Sequence, residues 1–251
     1  MTLNESFLYT LTRAFKAHLG VDAKEKAKIL HTKIADDLAS KFGAEFKIDG
    51  DGGGLSGRYY GKDVNIAICK NGVKCAGINV KFAINNYLKN RNSYFEMMLG
   101  NAANFRSNNL LYFQILIVPV IMPHFESLYI FPKYLEISHL KQYQILSNDN
   151  PDTFFHTPNK TLLVVVRLPE LFYDHDIIKY DEYKKYCEIC RDEYKNKFCG
   201  NKELYANEFI QYSHYFSAEF GSENSIKFGE GVILNDYELF LDKVYHRILA
   251  K

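Results

Sequence analysis

Between Asp22 and Phe42 the apolar residues Ala27, Leu30, Ile34, Leu38 and Phe42 recur at helical spacing, with Asp22 as a cap and Gly43 as a stop. A preceding helix is expected from about Glu5 to His18. The period then changes. Ala44 to Ile48 reads as a short strand, and Tyr59 to Cys69 and Cys75 to Ile84 read as β segments. They are joined through Lys70-Asn71-Gly72, whose Asn-Gly is the strongest short hairpin signal. Asn90 to Arg106 is expected as a helix, weakened by ~1 kcal/mol at Gly100 relative to Ala. Leu111 to Val120 is a nearly continuous apolar run of the kind buried on both faces of a sheet. Further on, Thr161 to Arg167 is expected as a strand, and Asp181 to Phe198, Lys202 to Phe216 and Tyr237 to Leu249 as helices. The order is helix, three strands, helix, strand, then a largely helical C-terminal elaboration.

Residues 49–63 read DGDGGGLSGRYYGKD, and Gly52, Gly54 and Gly57 satisfy G-x-G-x-x-G. The segment after them is strand-like, not the helix N-terminus that a pyrophosphate needs. No H-R-D or D-F-G occurs downstream, so a kinase reading fails as well. The stretch is expected to be a flexible turn.

Composition narrows the class. At 251 residues with 47% hydrophobic positions, the chain can bury a core, which excludes a wholly disordered protein. No linker divides it, so a single domain is expected. Lys plus Arg is 31 and Asp plus Glu is 30, which excludes a uniformly basic binder. The balance is a cancellation, however. Val64 to Leu110 holds six basic residues against the single acid Glu96, while Glu170 to Tyr194 holds eight acids against four bases. No apolar run approaches the ~20 residues of a membrane span. The N-terminal stretch has Glu5 before its apolar part and no basic region, so no signal peptide is expected. Five cysteines, an odd number, fit reduced thiols and a cytoplasmic location. Cys187, Cys190 and Cys199, with His175, offer zinc ligands, but the thiols fall in an expected helix, where packing is the commoner role.

One constellation carries chemistry. Asp63 leads a strand and Lys81 lies eighteen residues later in the next, where Asn79 and Lys81 share one face and Ile78, Val80 and Phe82 the other. The Val80 carbonyl lies between them, and Glu96 stands on the next helix. Two carboxylates and a carbonyl form an oxygen-only site of the kind that suits Mg²⁺, with Lys81 placed to serve an attacking water. For Glu96 the alternative is an exposed helix residue paired with a neighbouring base.

These residues, in this order of elements, resemble the PD-(D/E)xK nuclease superfamily. The resemblance covers roughly residues 22–120, and within the superfamily the chain is most similar to Type II restriction endonucleases. Asp63 and Lys81 match the motif. Lys62 stands where Pro is common and Asn79 where the second acid belongs, and Glu96 is similar to the acid that some members carry on the following helix.

The resemblance implies an α/β fold: a restriction-endonuclease-like αβββαβ core with a mixed central sheet flanked by helices, about 22–122. An elaboration for DNA recognition and dimerisation, about 123–251, would complete the single nuclease domain. It further implies a Mg²⁺-dependent endonuclease acting on double-stranded DNA as a homodimer, paired functionally with a DNA methyltransferase. Asp63 and Glu96 with the Val80 carbonyl would hold the metal, and Asn79 and Gln114 would support them, although Gln114 is equally well read as a satisfied sheet residue. A further acid from the first helix region, Asp36, Asp37 or Glu45, is a candidate for the same plan, although the two aspartates read better as a solvated helix face. Lys70, Lys74, Lys89, Arg91 and Arg106 are the candidate contacts to the DNA backbone. Two other readings stand beside it: a repair or recombination nuclease of the same superfamily, and a non-catalytic DNA-binding protein on a degenerated core.

Overall fold

Amphipathic helices open the chain, α1 (Glu5–Leu19) and α2 (Ala23–Ala39), and β1 (Phe46–Asp49) comes after them. Next come two four-residue strands, β2 (Gly53–Ser56) and β3 (Gly61–Val64), and then β4 (Ile66–Lys70) and β5 (Val73–Phe82). Asn71 and Gly72 join the last pair with φ of 51° and 79°. Positive φ at both central residues is the type I′ geometry that matches strand twist. In this computed structural model, residues 3–19, 23–83, 87–126, 129–166, 178–179 and 227–251 are described.

The rest of the frame is α3 (Tyr87–Arg106), β6 (Leu111–Pro119), a hairpin of β7 (Ile121–Glu126) and β8 (Tyr129–Tyr134), and α4 (Lys141–Ser147). β9 (Lys160–Val166), the two-residue β10 (Ile178–Lys179), β11 (Val232–Leu234) and α5 (Tyr237–Leu249) complete it. The central sheet has six strands in the order β1-β4-β5-β6-β9-β11. β1, β4 and β5 are antiparallel neighbours, whereas β6, β9 and β11 add in parallel. The fold is therefore α/β with a mixed sheet flanked by helices. α3 is the crossover that parallel β5 and β6 require.

Period-two alternation divides the sheet between two cores. Ile78, Phe82, Phe113, Ile115 and Ile117 face α1, α2 and α5, through residues such as Phe7, Ile34 and Phe240. Tyr112, Leu116, Val118 and Val165 face the other way, toward Met98, Ala102 and Phe105 of α3 and Tyr143 and Leu146 of α4. Every residue of β6 is buried, as expected for a strand covered on both faces. Each large apolar side chain buried there contributes about 2 kcal/mol. At the end of the chain, α5 spans the expected residues, and the Asp236 carboxylate accepts from the Leu239 N–H at 3.2 Å as its N-cap.

Two expectations are corrected. The glycine-rich stretch is no loose turn: residues 53–64 form the β2–β3 hairpin, registered Gly53↔Val64 to Ser56↔Gly61. The strand expected from Tyr59 to Cys69 breaks at Asn65 into β3 and β4, because β3 leaves the central sheet to pair with β2. The β7–β8 hairpin was not foreseen, since Pro123 and Pro132 each argue against a strand at that position. The helices expected over 181–198 and 202–216, and Cys187, Cys190 and Cys199, lie outside the described residues. No helix among the described residues is long and apolar enough to cross a membrane.

Candidate functional site

The site begins where β5 loses a neighbour. Its antiparallel pairing with β4 ends at Ile66↔Ile78, while pairing with β6 continues to Phe82↔Ile117. One residue before β4, the Asn65 side chain takes over and its Oδ1 accepts the Val80 N–H at 2.7 Å. The N–H and C=O of one strand residue point the same way, so the Val80 carbonyl faces this vacated edge.

Above this edge sits β3. Gly77 lets it descend: a Cβ at that position would lie 2.5 Å from Leu55 Cδ1 and 2.9 Å from Val64 Cγ1. Leu55 and Val64 are buried in the α3-side core, which clamps the hairpin onto the sheet. Lys62 and Asp63 are thereby brought to the wall of a cavity of about 300 Å³. Asn79, Val80 and Lys81 of β5 and Gln114 of β6 line the same cavity, as do Tyr94, Met97, Met98 and Asn101 of α3. Asp63, Lys81, Asn79, Val80 and Gln114 are thus brought together.

The polar side chains are held by one another. Lys62 donates to Asn101 Oδ1 at 2.8 Å, and Asn79 Nδ2 donates to the Tyr112 hydroxyl at 2.9 Å. That hydroxyl donates to Gln114 Oε1 at 3.0 Å, and Gln114 Nε2 donates to the Ile115 carbonyl at 3.0 Å. Burial pushes the Tyr112 phenol well up, and its hydrogen bonds to Asn101 and Asn79 pull it back only in part, so it stays neutral. With its amide nitrogen committed to Tyr112, Asn79 has its oxygen left to offer. The Lys81 ammonium stands 4.5 Å from the Tyr94 ring centroid, a cation–π contact that fixes a long, otherwise mobile chain.

Glu96 is not brought to the site. It is exposed, and at 3.6 residues per turn it lies about 200° round α3 from both Tyr94 and Met98, which face the cavity. Among the described residues no three His, Cys, Asp or Glu side chains cluster as a metal site. The acids near the first helix also lie elsewhere: Asp37 pairs with Lys33 at 2.5 Å and accepts from the Tyr237 hydroxyl at 2.7 Å, in the opposite layer. Asp36 and Glu45 are exposed.

The basic residues divide likewise. Arg106 is 7% exposed and its guanidinium is consumed by the carbonyls of Phe154, Thr157 and Pro151, so it anchors a loop and is no contact for a DNA backbone. Lys70 lies 5.5 Å from the Phe46 ring centroid, and Lys74 donates to the Gly54 carbonyl at 2.5 Å. Both flank the Asn71-Gly72 turn, and Lys74 is seven strand residues, about 20–25 Å, from Lys81. Lys89 and Arg91 stand in the first turns of α3, where Arg91 donates to the Leu88 carbonyl at 3.3 Å.

Sequence reasoning missed Asn65, Tyr94 and Asn101 and gave Lys62 no role. Asn65 did leave a signal, a lone polar residue between Val64 and the apolar Ile66–Ile68. Asn101 left another, a polar residue on the Met98–Phe105 face of α3.

No protein-family model, curated protein or solved structure matches the chain.

Proposed function

We propose that the chain is a Mg²⁺-dependent endonuclease of the PD-(D/E)xK type, cleaving double-stranded DNA at a short sequence as a Type II restriction enzyme. One observation supports the reading: Asp63, Val80 and Lys81 line one cavity, where β5 parts from β4. The donor set fits the ion, since Mg²⁺ is commonly held by one or two carboxylates together with substrate phosphates. Asp63 and the Val80 carbonyl would hold it, with the Asn79 amide oxygen in place of a second acid. When bound, Mg²⁺ supplies charge stabilisation at the phosphate and a more acidic water.

The chain's own residues do the rest. The Lys81 ammonium, held over Tyr94, orients the attacking water and stabilises charge as it develops on the phosphate. Lys62, braced by Asn101, adds a second cation for the phosphate oxygens. In a homodimer the two centres would serve the two strands, and a partner methyltransferase would protect host DNA.

A second reading, DNA binding without cleavage, is favoured by Asn79 and by Glu96 standing away from the cavity. Incubation of plasmid, genomic and branched DNA with the wild type and Lys81→Ala, in Mg²⁺ or EDTA, with binding followed by gel shift, separates them. Discrete Mg²⁺-dependent fragments lost in Lys81→Ala are expected. Binding without cutting would leave only the second reading, and cutting confined to branched DNA would replace restriction by repair.

A further inference from the structure

The tip of the β2–β3 hairpin is exposed and held in place at once. Tyr59 and Tyr60 are 74% and 52% exposed, and Arg58 stands beside them with its guanidinium 5.9 Å from the Tyr59 ring centroid. Beneath them the backbone is pinned to α3 by a single residue. The Arg58 N–H donates to the Asn104 carbonyl at 2.9 Å and the Tyr59 N–H to Asn104 Oδ1 at 3.0 Å, while Asn104 Nδ2 donates to the Tyr60 carbonyl at 3.0 Å. Gly57 packs so close that a Cβ there would collide with the Asn104 amide. Asn108 adds a bond to the Ser56 carbonyl at 2.6 Å. Asn104, itself 2% exposed, thus spends a buried amide on ordering a surface tip whose rings pack into no core. A tip ordered in advance loses little conformational entropy when a partner arrives.

Charge and position indicate the partner. The hairpin carries Arg58 and Lys62 and is touched by Lys74, against the single carboxylate of Asp63. Tyr60 precedes Asp63 by three residues, about 10 Å of strand, or roughly three base-pair steps of duplex. An exposed Arg-Tyr-Tyr set at that distance from the proposed phosphate site suits a duplex backbone, the guanidinium for a phosphate and the rings for the sugars beside it.

We propose that residues 57–61 form a preordered DNA-contacting element, in which Arg58 pairs with a phosphate and Tyr59 and Tyr60 pack against the sugars next to the scissile bond. The proposal rests on the DNA reading of the cavity. The chain has no Trp, so Tyr59→Trp places one fluorescent reporter at the tip, and Leu239→Trp, exposed on α5 in the opposite layer, serves as its control. Each is titrated in EDTA with a short random-sequence duplex, while anisotropy of the labelled duplex reports wild-type binding independently.

The expected result is quenching of the indole in Tyr59→Trp but not in Leu239→Trp, with binding weakened roughly fivefold or more in Tyr59→Ala/Tyr60→Ala. That double variant removes exposed rings only, so its thermal unfolding should match the wild type. Duplex bound by the wild type, with the emission of Tyr59→Trp unmoved and the double variant at full affinity, overturns the proposal and leaves the DNA reading standing. No duplex bound by the wild type overturns both. Unchanged DNA affinity with a lower oligomeric state in sedimentation makes the tip a protein contact and overturns the proposal too.

Discussion

Lys81 and Asp63 gain their proposed roles from what surrounds them. Tyr94 fixes the ammonium, and the turn of the chain at Asn65 frees the β5 edge that lines the same cavity as the exposed Asp63. Glu96 has no such setting. On the solvent side of α3, Glu96→Gln is expected to leave Mg²⁺-dependent cleavage within about twofold of wild type in initial-rate assays, where loss of an acting metal ligand would cost on the order of a hundredfold or more. His31 gives a pH prediction of another kind. Burial lowers its imidazole to about 4, below the ordinary value of 6.5. Because the folded value is the lower, the unfolded chain takes the proton first. This contribution to stability is complete above about pH 6.5 and is lost as pH falls from there through about 4. For a half-buried, partly screened ring the loss is about 1–2 kcal/mol. Urea unfolding at about pH 7.5 and about pH 4.5 should show a larger drop for wild type than for His31→Gln.

The β2–β3 hairpin is the element on which the site depends, and Gly77 is the floor it rests on. Gly77→Ala would force Leu55 and Val64 upward and carry Asp63 with them. Overpacking of this kind should cost about 1–3 kcal/mol in urea unfolding, and a displaced reacting group about a hundredfold in cleavage rate. Adding Leu55→Ala should return part of the rate. Much of the surrounding frame was legible beforehand: the Asn71-Gly72 turn states its own geometry, the apolar run of β6 declares a strand buried on both faces, and alternation placed Asn79 and Lys81 together. The hairpin was not legible, because a glycine-rich stretch shows no period and what orders it is distant, namely Asn104, Asn108 and the space over Gly77. Glu96 was misassigned for a different reason. Its spacing from Lys81 carries no angle, and only the inner face marked by Met98, Ala102 and Phe105 tells which way α3 turns it.

Across the whole molecule, one sheet buries two different cores. The layer of α1, α2 and α5 is apolar support, while on the α3 side the polar chain of Lys62, Asn101, Tyr112, Asn79 and Gln114 interrupts the core and opens the cavity. The near-zero net charge hides this arrangement, because the basic segment from Val64 to Leu110 supplies Lys81 and much of the cavity wall. The central proposal is that Asp63 and Lys81 act as one hydrolytic centre. A double-mutant cycle on plasmid cleavage in Mg²⁺ tests it most directly, comparing Asp63→Asn, Lys81→Ala and the pair. Groups acting as a unit lose their effect together, so the double variant should be no slower than the worse single variant. Two losses that multiply, or either variant cleaving at the wild-type rate, would contradict it.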